Sequence, residues 1–365
     1  MGGNVKALVL ERNGVLACRS MPDPVCPDGQ CLISVRHAGI CDSDMARAYE
    51  NGAYHYPLVM GHEFSGIVAE AGPGVRRVRR GERVAVFPLL PCFDCRWCRE
   101  RRHAQCLSYD YYGSRRDGAF AELVAVPEWN VVRLPDEVPL LSGALLELVA
   151  VGIHAARRAA EALAGVSRPR VLILGAGVVG RVVACELARR LASPAIHVLD
   201  RNAFKREAAA RLGFEALDPS LAVGWLPSFL EQTSGGADCV LEATGAPENF
   251  LASIEAARPF GSVVWVGNIR GDLPVPRKAV SSILRREIRI EGVWNSHYDP
   301  EGKAADDWRA GLEFLRSEDV SSWVTHQPSL EEGAAFLERL HRAKTRGRGD
   351  ADRIFKAVFK IGKEA

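Results

Sequence analysis

No stretch of this chain is long, apolar and free of charge. The most apolar long window, 140–156, contains Glu147 and His154, so it reads as a buried helix and not as a membrane span. The first apolar run, Ala7-Leu-Val-Leu10, stops at Glu11 and Arg12, too soon for the core of a secretory signal. Charge of one sign is missing as well. Lys+Arg 47 against Asp+Glu 45 leaves a net charge of +2, which argues against a dedicated nucleic-acid binder. Short arginine clusters at 76–80, at 99–102 and around Arg342 and Arg348 fall where loops are expected and read as solvated faces. Internal repeats and low-complexity tracts are absent too. The expectation is a cytoplasmic protein with no membrane and no nucleic-acid partner, in which most cysteines are free buried thiols.

What is present is an ordinary globular composition, 47% hydrophobic and 25% charged, over 365 residues. That length predicts two domains.

Four cysteines crowd into Cys92-Phe-Asp-Cys95-Arg-Trp-Cys98 and Cys106. A disulfide between cysteines three apart closes a tiny loop and restrains little. An iron–sulfur run would have a shorter last gap and a following proline, where this chain has Leu107. A structural zinc needs four thiolates at tetrahedral corners about 2.3 Å from the metal, and short loops of this kind supply them. Such a site is closed, so it holds a loop and does no chemistry.

The second strong signal begins at Val171-Leu-Ile-Leu174, an apolar run suited to a central parallel strand. It leads into Gly175-Ala-Gly177-Val178-Val179-Gly180, then a helix through Ala188, then a strand over 195–199 ending at Asp200. Strand, glycines, helix, strand and acid in that order predict a dinucleotide site. Gly175 permits the tight turn and Gly177 lets the backbone approach the pyrophosphate. Gly180 allows close helix–strand packing, and the helix N-terminus faces the phosphates. Asp200 would accept hydrogen bonds from the adenosine ribose and repel a 2′-phosphate, favouring NAD, although Arg201 follows it directly.

Short β-branched runs at 30–36, 66–69, 83–87 and 120–126 predict an irregular β domain up to about residue 135. Ser142 is the expected N-cap of a helix running to Leu163. Further strands at 238–245, 261–267 and 288–293, separated by helices at 202–212 and 248–257, complete a six-stranded doubly wound sheet. The tail predicts helices at 306–317 and 330–343 and a last strand at 354–361, which needs the N-terminal sheet as its partner. The nucleotide domain, 156–294, is therefore expected as an insertion into a domain formed by 1–155 and 295–365, with the zinc lobe at 88–110.

Chemistry needs a group that handles the substrate. Cys41 in Gly39-Ile-Cys-Asp-Ser-Asp44, His62 in Gly61-His-Glu-Phe-Ser-Gly66, and Glu147, a carboxylate in an apolar helix, stand out. A buried carboxylate must be protonated, paired or on a metal. Thiolate, imidazole and carboxylate together make an open zinc site with one position left for substrate.

Gly61-His62-Glu63 with Gly66, the 41–44 segment, the four-cysteine lobe and the nucleotide motif together resemble the zinc-dependent medium-chain dehydrogenase family, over essentially the whole chain. Within it the chain is most similar to polyol dehydrogenases of the sorbitol and galactitol-1-phosphate 5-dehydrogenase type. Those similar stretches are Asn51-Gly-Ala-Tyr-His-Tyr-Pro57, Pro88-Leu-Leu-Pro-Cys-Phe93, Tyr112-Gly-Ser-Arg-Arg-Asp-Gly118 and Ile283-Leu-Arg-Arg-Glu-Ile288. The resemblance implies a GroES-like β domain with an inserted Rossmann domain, two zinc ions per chain, NAD, and a homodimer or homotetramer. It implies Cys41 and His62 as catalytic zinc ligands, Glu147 as the third, and Glu63 as a carboxylate that exchanges onto the metal. It also implies metal-assisted hydride transfer between NAD and a secondary alcohol of a polyol, sugar alcohol (phosphate) or cyclitol. Ser43 passes the proton outward in that scheme, or caps the helix that follows it. Two residues depart from the family pattern: Asp42 stands where glycine is usual, and Leu148 where proline usually follows the glutamate. Tyr54, Tyr56, Arg115 and Arg116 are candidates for substrate contact or for purely structural roles. Two other functions fit the same residues: a biosynthetic cyclitol or aminosugar-alcohol dehydrogenase, and a non-catalytic nucleotide-binding regulator with a zinc lobe.

Overall fold

The computed structural model describes residues 3–220, 224–346 and 353–362. Arg348 and the two ends of the expected first domain lie outside the described residues. The chain forms two compact units, Met1–Ala150 with His297–Ala365, and Val151–Ser296. Among the described residues no helix is long and apolar enough to cross a membrane.

The first unit is built on β-sheets. A three-stranded sheet runs Val15–Pro22, Asn4–Arg12, Leu58–Val59. The larger sheet runs Val131–Arg133, Arg83–Val86, Glu63–Ala71, Gln30–Gly39, Lys356–Lys360, Val324–His326, with Leu123–Pro127 also paired to Gln30–Gly39. Alternation explains the central strand: Cys31, Ile33 and Val35 are fully buried on one core. The last strand, Lys356–Lys360, pairs antiparallel with it, placing Val358 opposite Gly39. On the other side Gly39 faces Glu63. A Cβ at Gly39 would lie 2.0 Å from Glu63 Oε2, so only glycine leaves room for that carboxylate.

The second unit is a six-stranded parallel sheet in the order Glu215–Leu217, Ala195–Leu199, Arg170–Leu174, Ala237–Glu242, Ala257–Trp265, Arg289–Gly292. In chain order this is 3-2-1-4-5-6, the doubly wound dinucleotide-binding topology. The short strand Glu215–Leu217, third in chain order, and helices Trp225–Gln232 and Arg277–Arg286 add to the elements expected.

Two helix starts differ from expectation. Ser142 lies inside a one-turn helix, Leu140–Gly143, whose N-cap is Pro139, and a second helix runs Leu146–Ala162. Pro139 starts the turn early because its fixed φ suits a helix entrance and its missing N–H costs nothing there. Ser43 is not the cap of its helix either. The helix is Asp42–Tyr49 and the N-cap is Cys41, whose amide donates to Asp44 Oδ2 at 3.0 Å.

Candidate active site and metal centres

The four lobe cysteines converge. Cys92, Cys95, Cys98 and Cys106 have their sulfurs all within 4.8 Å of one another, and none is in a disulfide. The amides of Cys92 and Cys95 donate to Cys106 Sγ (3.2 Å) and Cys92 Sγ (3.3 Å). Backbone amides hold the Cys92 thiol low and bring Cys95 down to about 6, while burial pushes Cys98 and Cys106 up. Two thiols are thus shifted toward the thiolate and two away from it, and a divalent cation bound among them would stabilise all four as thiolates. The lobe is closed at its base by a two-stranded ladder, Leu89–Leu90 with Asp110–Tyr111. Its far side is tied down by Arg101, which bonds Asp299 (2.9 Å) and Glu301 (2.8 Å).

A second cluster lies in the same unit. Cys41, His62 and Glu63 offer sulfur, ring nitrogen and carboxylate oxygen within 4.8 Å of one another. Cys41 heads the helix Asp42–Tyr49, His62 precedes the strand Glu63–Ala71, and Glu63 begins it. The 118–120 segment laces the chain just before His62, with Gly118 donating to Val59 (2.7 Å), Phe120 to Met60 (2.9 Å) and Ala119 to Gly61 (2.9 Å). Both Glu63 oxygens are buried, and Oε1 has no hydrogen-bond partner among the described residues. The charge is offset by the buried Lys356, whose Nζ lies 2.5 Å from Glu63 Oε2 while donating to the Ile40 carbonyl at 2.9 Å. A buried carboxylate with one oxygen left unbonded, beside a thiol and an imidazole, fits a divalent metal.

Glu147 sits in the first turn of Leu146–Ala162, outside that trio, with Tyr111 Oη 3.5 Å from its Oε1. Burial raises its carboxyl to about 7, with His62 pulling the other way and Glu63 adding to the rise. Burial by itself would lower the His62 ring, but Asp44 outweighs it, at 3.6 Å from Nδ1, and holds the ring well above its usual value. Asp44 is fully buried, yet His62, Arg47 and the Cys41 amide keep it ionised. A carboxylate behind a metal-facing imidazole is the usual orienting arrangement. Asp42 is ion-paired with Lys344, so the extra charge at this departure from the family pattern is matched. Ser43 is half-buried in the same helix, its carbonyl accepting from Arg47.

In the second unit, a Cβ at Gly177 would meet nothing within 4 Å, whereas one at Gly180 would lie 1.9 Å from the Gly175 carbonyl. Space above Gly177 and close packing beneath Gly180 fit a pyrophosphate at the N-terminus of the helix Val178–Arg190. Asp200 Oδ2 accepts from Ala176 N (2.9 Å) and Oδ1 from Asn202 N (2.8 Å), fixing the carboxylate at the end of its strand. Val178 is buried, Val179 half-buried and Arg201 exposed.

Residues 27–136 match the alcohol dehydrogenase GroES-like domain and 181–317 the zinc-binding dehydrogenase model. Galactitol 1-phosphate 5-dehydrogenase of Escherichia coli is 30% identical over 93% of this chain and 97% of its own. This chain belongs to the zinc-binding alcohol dehydrogenase family. Sorbitol dehydrogenase of Bacillus subtilis is 30% identical over 92% of this chain and 93% of its own. The crystal structure of Escherichia coli galactitol-1-phosphate dehydrogenase superposes with a TM-score of 0.82 at 28% identity, covering 97% of this chain and 99% of that one. As a member of the family the protein is a zinc- and nicotinamide-dependent oxidoreductase with a GroES-like and a Rossmann domain.

Two residues that reach these side chains went unread in the sequence. Lys356 reaches Glu63 only because the last strand pairs with the central one, and Tyr111 reaches Glu147 only through the ladder at the base of the lobe. A lysine in an otherwise apolar terminal strand, in Ile354-Phe-Lys-Ala-Val-Phe, was the available signal for the first.

Proposed function

We propose that the protein oxidises a secondary alcohol of a polyol or sugar alcohol, with NAD as the hydride acceptor, at the Cys41–His62 cluster. The supporting observation is the convergence of Cys41, His62 and the buried Glu63 carboxylate, with Glu147 close by. Cys41 and His62 would hold zinc, with one of the two glutamates as third ligand and the other facing the open position. Zinc bound there supplies Lewis acidity toward an alcohol oxygen, and NAD takes the hydride. Asp44 fixes the His62 ring, Lys356 balances Glu63 when that carboxylate is off the metal, and Ser43 carries the hydroxyl proton outward. The lobe cysteines would hold a second, structural zinc. Gly175, Gly177, Val178, Val179 and Gly180 would cradle the pyrophosphate, and Asp200 the ribose, which favours NAD over NADP. Exposed Val280, Leu284 and Trp294 on the Rossmann unit fit burial by a second copy of the chain, as homodimer or homotetramer. Free thiols throughout fit the reducing cytoplasm.

The test is a panel of polyols and sugar alcohols assayed for NAD reduction with wild type and Glu147→Ala. The expected result is turnover by wild type, turnover lost in the variant, and NAD affinity retained. Full activity of Glu147→Ala would remove this glutamate from the site.

A further inference from the structure

Tyrosines that serve the packing of this unit close their hydroxyls on the backbone. Tyr112 Oη donates to the Ala125 carbonyl at 2.7 Å, and Tyr298 Oη to the Trp129 carbonyl at 2.9 Å. Tyr111 does not. It is half-buried, and among the described residues its hydroxyl meets one polar atom, Glu147 Oε1, at 3.5 Å, the outer limit of a hydrogen bond. Its ring stands 5.7 Å from that of His62, with the planes 59° apart. A phenol donates as well as accepts, whereas ionised Glu63 and Glu147 only accept. Tyr111 thus brings to the cluster a neutral donor held by one long contact.

The backbone behind that hydroxyl is fixed. Tyr111 pairs with Leu89 in the ladder at the base of the lobe, and its amide donates to Asp110 Oδ1 at 2.8 Å. Its carbonyl accepts from Arg115 N (3.0 Å) and Ser114 N (3.4 Å), and the next residue, Tyr112, donates its amide to the Pro88 carbonyl (3.0 Å). A side chain on a rigid backbone, with its polar end almost free, can meet a ligand at little reorganisation cost. In a polyol, the carbinol bound at the cluster is flanked by hydroxyls on the neighbouring carbons. These are the next polar atoms of the substrate, and a monohydric alcohol lacks them.

We propose that Tyr111 is a specificity-determining residue whose hydroxyl bonds the substrate hydroxyl on one carbon next to the carbinol that is oxidised. The site thereby favours a carbinol with a hydroxylated neighbour over an isolated one. This rests on the polyol dehydrogenase reading and assigns a further residue to the same site.

The test is a cycle that removes the two hydroxyls separately and together, on the zinc- and NAD-loaded enzyme. A polyol that wild type oxidises is compared with its two analogues deoxygenated on either side of the reacting carbon. Each is assayed with wild type and with Tyr111→Phe, which keeps the ring against His62. Wild type should lose about 10-fold in kcat/KM on one of the two analogues, the effect of one neutral hydrogen bond. Tyr111→Phe should lose about as much on the parent polyol and nothing further on that analogue. Equilibrium binding of parent and analogue to the enzyme–NADH complex should show the same coupling without turnover. A merely structural tyrosine would slow parent and analogue in parallel, so that the two losses multiply, and that outcome overturns the proposal. Equal wild-type rates on the parent and both analogues would overturn it too while sparing the polyol reading. A wild type that oxidises no polyol would remove both.

Discussion

The two cysteine-bearing clusters of the GroES-like unit are built on opposite plans. In the lobe, four thiols come from fifteen consecutive residues, and backbone amides within the loop hydrogen-bond the sulfurs. At the Cys41 cluster one thiol, one imidazole and two carboxylates come from a helix cap, a strand start and a helix first turn, with Lys356 arriving from over 300 residues away. A local, all-sulfur set can be closed and inert. A distributed set of mixed donors leaves charges to be balanced one against another, and it is there that the carboxyl of Glu147 rises and the His62 ring is held up by Asp44.

Removing one ligand from each cluster should break the comparison most sharply. His62→Ala is expected to reduce kcat/KM at least 1000-fold, on the order of losing an essential electrostatic group, while the melting temperature of the holoenzyme moves little. Cys95→Ser should do the reverse first: it removes the lobe's metal and lowers the melting temperature, because structural zinc contributes folding energy directly. Loss of activity would then follow loss of the folded state, as thermal scans and rates measured on the same samples will show.

The charge balance of the distributed cluster gives a pH test. In the metal-free protein the Glu147 carboxyl is raised in the folded state, so its contribution is fully present at pH below about 4.5 and is lost as pH rises through about 7. Chelated wild type should therefore weaken relative to chelated Glu147→Gln across that window, by about 3 kcal/mol at most. Urea midpoints at pH 5 and pH 8 measure it, and a gap that does not change with pH would mean that Glu147 is not held in a desolvated site.

Asp44→Asn should have the smallest effect, about 10- to 100-fold in metal affinity or activity, since it touches His62 and not the substrate. Competition with a chelator reads the affinity. An unchanged value would mean that the Cys41 amide and Arg47 contacts, not the imidazole, account for this buried carboxylate.

Legibility in the sequence followed the same division. The lobe and the glycine-rich turn are local patterns, so spacing identified their ligands and the doubly wound fold around them. Cys41, His62 and Glu147 were readable only as unusual residues in their own segments. The closeness of the His62-Glu63 pair to Cys41 depends on the Gly39–Glu63 register, and no periodicity announces it. The helix Trp225–Gln232 carries Pro227 in its first turn, a residue that weakens the helical pattern of its segment. The strand Glu215–Leu217 escaped because three residues without a β-branched side chain carry almost no strand signal. Arg115 was readable as a candidate for substrate contact or for a structural role; the structure adds that it lies over the Tyr54 and Tyr109 rings with no carboxylate paired to it among the described residues.

Metal content tests the central claim, that the chain holds an inert closed site and a separate reactive one. The account predicts about two zinc per wild-type chain, and about one in the folded Cys41→Ser/His62→Ala double variant, with turnover gone. A wild type with a single zinc, or a double variant that keeps both ions and its activity, would contradict it.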